Sequence, residues 1–217
     1  PTRRSSDLML YPTHAIGGVL GAWDTHATSV SCVGVHDLRG DGVFDVEVSQ
    51  FGNDFSNASA LFGLADGGVM RTNEFRRVGY PSHLRESRFR FFGTEASFEQ
   101  LVDTSLMQDK STVEDVSDLL RTSSSLSLDD PSLAQVAPAL RDAFVSGSAA
   151  VHELDRLPKE LAGLPNGHEG SHHFLVDDFV RAVEGGSHPP VNAWVAARFT
   201  LPGIVAHQSA LQGGVRL

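Results

Sequence analysis

Two runs that carry apolar side chains, Ala58–Leu64 and Val69–Val78, are separated by Ala65-Asp66-Gly67-Gly68. A connection this short joins two strands only as an antiparallel hairpin, because a parallel pair needs a crossover of about a dozen residues or more. That feature commits the chain to antiparallel β-structure. The neighbouring segments extend it. Thr28–Val35 reads Thr-Ser-Val-Ser-Cys-Val-Gly-Val, rich in the β-branched residues that strands favour. Arg88-Phe89-Arg90-Phe91 alternates polar and apolar residues with period two, as a strand with one buried face does. Ala96–Leu101 follows a Gly93-Thr94 turn and reads as a further short strand. Consecutive strands without helices between them favour a mainly antiparallel sheet over alternating βαβ units.

Helical signals flank this region. The first helix begins near Pro12 and Thr13 and runs to about Trp23; Pro is tolerated in a first turn, and a Thr hydroxyl can cap free N–H groups. A helix is predicted over 131–144, capped by Asp130 and carrying Leu133, Val136, Leu140 and Phe144 on one stripe. Another runs over 171–184 and stops at Gly185-Gly186. A last helix carries Trp194, Ala197, Leu201 and Ile204 at three- and four-residue spacing, and Pro202 is expected to break or kink it. Residues 37–57 are dense in Gly, Asp and Asn, with a turn at Arg39-Gly40-Asp41-Gly42; residues 41–45 lack the carboxylate spacing and closing Glu of a calcium loop. Residues 103–130, rich in Ser, Thr and Asp, read as a low-order insertion. The expected class is α+β: an open, mainly antiparallel β-sheet backed by helices, over residues 9–217. Residues 1–8, Pro-Thr-Arg-Arg-Ser-Ser-Asp-Leu, resemble translated sequencing-adaptor DNA and are set apart as a non-native tail.

Composition narrows the function classes. The net charge is −10 and the only lysines are Lys110 and Lys159, which argues against a nucleic-acid or anionic-membrane partner. Cys32 is alone, so the chain can form neither an intrachain disulfide nor a cysteine metal cluster, and a reduced, cytoplasmic setting is expected. No run of about 18 apolar residues exists to span a bilayer.

Three groups of residues can carry chemistry. Tyr11 and His14 lie three apart at the start of the first helix, with Thr13 beside them. There the positive end of the helix dipole favours a neutral imidazole, which can take or give a proton near pH 7; the alternative is a polar packing histidine beside a core tyrosine. On the second arm of the hairpin, Asn73 and Arg77 face one way and Glu74 and Arg76 the other. Such side chains can hydrogen-bond sugar hydroxyls or a carboxylate, or simply cross a solvated sheet surface with ion pairs. His168, Glu169, His172 and His173 crowd the start of another helix; His168 and His172 are four apart, as zinc pairs are, but no cysteine accompanies them and the Gly167 and Gly170 flanks favour a loop, so no metal is assigned. Asp177 and Asp178 read as caps or salt-bridge partners. Gly17-Gly18-Val19-Leu20-Gly21 lacks Gly-x-Gly-x-x-Gly spacing and a preceding strand, so it is no dinucleotide loop; its glycines are expected to permit close helix–sheet packing.

The series Tyr11-Pro12-Thr13-His14 before a Gly-rich helix, Asn73-Glu74-Phe75-Arg76-Arg77, Gly167-His168-Glu169-Gly170-Ser171-His172, Asp177-Asp178-Phe179 and Pro202-Gly203-Ile204 resembles the C-terminal domain of the Gfo/Idh/MocA oxidoreductases, in the branch containing the NAD-dependent glycosidases. The resemblance covers nearly all of residues 9–217. It implies an enzyme that moves a hydride from a sugar or polyol to NAD or NADP, with His14 as acid/base, Tyr11 beside it, and Thr13, Asn73, Arg77, His168 and His172 binding substrate. It also implies a homo-oligomer built through the open sheet face. The family's Glu-Lys-Pro motif, which supplies the lysine of the hydride step, and its nucleotide domain have no counterpart here, so the chain is read as a truncated product that is inactive alone. Two alternatives stand beside this reading: a glycosidase that oxidises its sugar transiently and eliminates the aglycone, and a non-catalytic carbohydrate-binding or assembly domain.

Overall fold

The computed structural model describes residues 8–49, 51–77, 87–101, 104–124, 129, 134, 137–141, 146–162, 164, 166 and 170–217. In chain order they form a 3-10 turn (Leu8–Leu10), α1 (Thr13–Trp23), β1 (Ala27–His36), β2 (Phe55–Leu64), β3 (Val69–Phe75), β4 (Arg90–Phe92), β5 (Ala96–Gln100), β6 (Ser105–Asp109), β7 (Val113–Asp115), β8 (Leu120–Ser124), β9 (Ser146–Ala150), α2 (His172–Glu184) and α3 (Ala193–Leu211), with short 3-10 turns between. Two compact units result, Pro1–Val78 with Ala193–Leu217, and Gly79–Asn192. The class is α+β, and every strand pairing among the described residues is antiparallel. Among the described residues the antiparallel strands fall into more than one sheet. They divide into β1-β2-β3, β4-β5-β6-β7 and β8-β9.

The first unit is a three-stranded sheet covered on one face by α1 and α3. In the middle strand β2, Ala58, Ala60, Phe62 and Leu64 point into the core while Ser59 and Leu61 point out, as the period-two pleat requires. The expected hairpin is present: β2 and β3 pair from Asn57↔Phe75 to Gly63↔Val69, closed by Gly67 N–H donating to Leu64 O (3.0 Å) and by Gly68 N–H donating to the Asp66 carboxylate (3.0 Å). The second arm stops at Phe75, short of the expected Val78. Beyond it the Arg76 and Arg77 N–H groups donate to Asn57 Oδ1, at 2.9 Å each.

From the helices, Ile16 and Leu20 enter the core with no exposed surface; burial of such side chains contributes about 1.5–3 kcal/mol each. Helix α1 ends at Asp24, whose φ of 50° places it in the left-handed region, one that Asp tolerates better than most residues. Trp23 Nε1 donates to Asp66 Oδ2 (2.5 Å) and ties this end to the β2–β3 turn. Thr13 does not cap α1; Pro12 holds the cap position without a side-chain bond, and its carbonyl accepts from Ala15 (3.1 Å) and Ile16 (2.8 Å).

Of the break or kink expected at Pro202 in α3, the break does not occur: the helix continues through Pro202 from Ala193 to Leu211. Pro removes one backbone donor, and packing of both halves against α1 and β1 outweighs that loss. Its buried residues are Gly203, Ala206, His207, Ser209 and Ala210, whereas Trp194, Leu201 and Ile204 are exposed. The close approach that demands a small residue is local, since the bulkier His207 is buried too and Phe199 and Val205 pack against the core. At Gly203 a Cβ would overlap the Met9 carbonyl and the Pro12 ring. Gly17 likewise receives the Phe199 ring, a Cβ there meeting Cδ2 at 3.2 Å. The α1 glycines therefore serve helix–helix contact, not the helix–sheet packing expected. Ser209 Oγ donates to Val215 O (2.6 Å) and accepts from Cys32 N–H (2.9 Å), fixing α3 to β1 and to the last residues; Val30 and Leu217 exchange backbone bonds of 2.9 Å.

In the second unit, residues 104–124 hold three strands where low order was expected. Ser, Thr and Asp act here as turn formers: one Asp109 oxygen accepts from the N–H and hydroxyl groups of both Ser111 and Thr112 (2.7–3.1 Å), closing β6–β7 and holding the Asp109 carboxyl down at about 2. The helix expected over 131–144 falls mainly outside the described residues, within which Pro138–Leu140 is a 3-10 turn. Helix α2 ends at Gly185 as expected.

Gly203→Ala tests the α1–α3 approach. Helix propensity alone would stabilise α3 by about 1 kcal/mol, but forcing a methyl group against a carbonyl and a proline ring costs about 1–3 kcal/mol. The overlap with both groups places the cost in the upper part of that range, so net destabilisation of about 1–2 kcal/mol is expected as a lowered urea midpoint. An unchanged or raised midpoint would show that the two helices can separate freely.

Candidate active site

The start of α1 brings together Tyr11, Thr13 and His14. Pro12 is wholly buried beneath α3 and pins the backbone, so its neighbours are turned outward. The Tyr11 and His14 rings lie 5.3 Å apart between centroids at a 50° tilt, Tyr11 is about half exposed (51 %), and Thr13 and His14 are exposed. The imidazole and phenol thus form an accessible pair on a rigid helix end, suited to exchanging a proton with a substrate hydroxyl.

The residues expected on β3 are not gathered at this pair. Asn73 points to the face of the sheet opposite the helices, where its Oδ1 accepts from Ser59 Oγ (2.9 Å). Arg77 lies beyond the strand, and its guanidinium is already engaged: Nε donates to Asp37 Oδ2 (2.6 Å), one terminal nitrogen donates to both Asp41 oxygens (2.7 and 2.8 Å), and its plane lies 5.0 Å from the Phe44 ring. Burial opposes charge on Asp37 and on Arg77, but the bonds between them, with that from Arg39 N–H to Asp37 and those from Arg77 to Asp41, outweigh it. The Asp37 carboxyl sits below its ordinary value and the guanidinium above. In this arrangement Arg77 organises residues 37–44, and Asn57 clamps its backbone through Oδ1 and through Nδ2 donating to Arg77 O (2.9 Å).

Glu74 stands out in the structure, although from sequence only its facing away from Asn73 was legible. It shares the inward face of β3 with Thr72 and Met70, the face on which α1 packs. Its Oε1 and the Thr72 hydroxyl are buried without a hydrogen-bond partner among the described residues. Desolvation pushes the Glu74 carboxyl up to about 7, with the Arg76 charge pulling only partly the other way.

In the second unit, His172 opens α2 and is exposed, and His173 N–H donates to Asn166 Oδ1 (3.0 Å). His168 lies outside the described residues. Asp177 pairs with Arg181 (2.8 Å) and Asp178 with Arg156 (2.9 Å), as expected. A contact that the sequence did not signal joins Phe174 to His152, stacked at 4.9 Å, and to the Arg156 guanidinium, also at 4.9 Å. Among the described residues no group of three or more His, Cys, Asp or Glu side chains is placed to hold a metal, and no helix is long and apolar enough to cross a membrane.

Because Glu74 titrates higher in the folded state than its ordinary value of 4.5, it contributes stability fully present below about pH 4.5 and lost as pH rises through about 7. Glu74→Gln is expected to flatten this part of the stability–pH curve and to stabilise the protein at pH 8 by about 1–2 kcal/mol, after allowance for the carboxyl's partial exposure. Denaturant unfolding at pH 4.5, 6 and 8 measures it; identical pH curves for both proteins would refute the buried carboxyl.

No protein-family model matches the chain, and no curated protein does. Solved structures do. An oxidoreductase from Agrobacterium radiobacter, in complex with NAD+, L-tartaric acid and magnesium, aligns with a TM-score of 0.57 at 7 % identity over 99 % of this chain and 50 % of its own. An inositol dehydrogenase homolog from Azotobacter vinelandii, complexed with NADH and myo-inositol, gives 0.54 at 14 % identity over 98 % and 50 %. UDP-N-acetylglucosamine 3-dehydrogenase from Acidithiobacillus ferrooxidans gives 0.51 at 15 % identity over 94 % and 45 %. The chain spans about half the length of these structures, and at such identities the likeness is one of fold. The described residues carry an α+β fold shared with about half the length of these oxidoreductase structures.

Proposed function

We propose that this chain is the substrate half of a nicotinamide-dependent oxidoreductase acting on a sugar or polyol. The observation that carries the reading is the exposed Tyr11–His14 pair at the start of α1, on a fold shared with proteins solved with NAD+ or NADH and, in one case, with myo-inositol. His14 accepts the proton of the hydroxyl being oxidised, Tyr11 orients that hydroxyl, and Thr13 offers a further polar contact. Asn73, Arg77 and His172 are weaker candidates for substrate contact: the first two are already bonded within the chain, and His172 belongs to the other unit. No described segment has the glycine-rich strand–turn–helix that cradles a dinucleotide. NAD or NADP is assigned to a part of the protein beyond these residues, where it would take up the hydride.

The test is His14→Ala in the protein joined to its nicotinamide-binding part, assayed on a panel of sugars and polyols. Turnover is expected to fall about 10²–10⁴-fold while substrate affinity changes little. Unaltered turnover removes His14 from the chemistry. Release of an aglycone without net NADH would move the reading to the glycosidase branch.

The face of β1-β2-β3 away from the helices exposes Val33, Val35, Leu61, Val69 and Phe75, and we assign it to contact with a second copy of the chain. Leu61→Asp with Val33→Asp is expected to shift sedimentation from oligomer to monomer at unchanged thermal stability. A wild-type chain that sediments as a monomer ends this assignment.

A further inference from the structure

A cavity of about 450 Å³ opens between the start of β1 and the outer side of α3. Its walls are mainly apolar: Ala27, Val30 and Phe62 from the sheet, Leu201 and Val205 from α3, and Leu217 from the chain's end. Neither Tyr11, Thr13 nor His14 lines it. Both its size and its lining are those of a small-molecule site, an apolar pocket with a few polar groups.

The polar groups differ in how far they are committed. Thr28 Oγ1 donates to Gly63 O (3.2 Å), and Ser29 Oγ accepts from Arg216 (3.0 Å). Arg198 is the charged residue at the wall. One terminal nitrogen donates to Asp24 Oδ1 (2.8 Å), but Asp24 is 89 % exposed, so water screens that pair. Its Nε is buried without an acceptor among the described residues. The guanidinium also lies 5.5 Å from the Phe199 ring, and with its Nε shielded it is the terminal N–H groups, on a side chain 26 % exposed, that can meet a second carboxylate. The chain's net charge of −10 opposes an anion, yet at physiological ionic strength that field is screened beyond about 8 Å, so the adjacent guanidinium decides.

We propose that this cavity binds a small amphiphilic carboxylate, its apolar body against Val30, Phe62, Leu201 and Val205 and its head group on Arg198. The site is separate from the Tyr11–His14 pair and does not depend on the oxidoreductase reading. Octanoate and 1-octanol, titrated into the 217-residue chain with amide chemical shifts as readout, test it. Saturable octanoate shifts are expected at residues 26–30 and 198–205, with 1-octanol binding about tenfold more weakly for want of the charge-assisted bond. Arg198→Met should lower octanoate affinity to that of the alcohol. Asp24→Asn, which removes the competing carboxylate, should retain or tighten binding. Leu201→Glu, at an exposed helix position, leaves the fold intact and should abolish octanoate binding by placing a carboxylate at the mouth. Equal affinity for octanoate and octanol, shifts centred elsewhere, or octanoate binding undisturbed by Leu201→Glu would each overturn the proposal.

Discussion

The first unit depends on how closely α3 can approach the start of α1. At Gly203 the absence of a side chain lets α3 press against the Met9 carbonyl and the Pro12 ring. That contact buries Pro12 and sets where α1 begins, and from there the helix directs Ile16 and Leu20 into the sheet and leaves Tyr11 and His14 outside. The inner face of α3 holds Gly203, Ala206, His207, Ser209 and Ala210, and Leu201, Ile204 and Trp194 lie outward. Interiors are close-packed, so where α3 meets Pro12 there is no room for a side chain, while His207 and Phe199 fill wider gaps along the same helix. One packing constraint thus places the candidate catalytic pair and also supplies an apolar wall for the cavity between α3 and the start of β1.

Electrostatics shapes the sheet ends. An acidic chain with few lysines relies on arginine for cation contacts, and each well-placed arginine works in the planar geometry that suits it. Arg77 spans Asp37 and Asp41 and covers Phe44; Arg156 joins Asp178 to the Phe174 ring; Arg198 reaches Asp24 at the end of α1. These contacts fix loops more than they bury charge. Glu74 is the opposite case, a carboxyl on the core side of β3 with no cation bonded to it, beside a Thr72 hydroxyl that also lacks a partner. Buried polar groups without partners are rare because each costs about 1–3 kcal/mol. Both occur on adjacent inward positions of the strand against which α1 packs.

The relation to longer oxidoreductases rests on fold. What the chain contributes to a functional reading is the Tyr11–His14 geometry, and no glycine-rich strand–turn–helix occurs among the described residues. The two facts are compatible with a division of labour in which proton handling and substrate contact lie here and hydride acceptance lies elsewhere. Within that division Arg77 and Asn73 are structural in their present contacts, since both spend their polar atoms on the chain's own groups.

What the sequence determined by itself was local. The β2–β3 hairpin followed from a four-residue turn, the start of α1 from Pro12 and the end of α2 from Gly185-Gly186, because backbone geometry and turn chemistry act over a few residues. The grouping of Tyr11, Thr13 and His14 was legible for the same reason: neighbours on one helix turn cannot be far apart. Tertiary structure alone decided the rest. It chose which face of α3 is buried, gave Arg77 its two carboxylates from 36 and 40 residues away, turned Asn73 from the helices, desolvated Glu74, and made turns from the Ser- and Asp-rich segment. Each of those outcomes depends on distant groups that compete for the same space, charge or hydrogen bond, and that competition is settled only when the chain has folded.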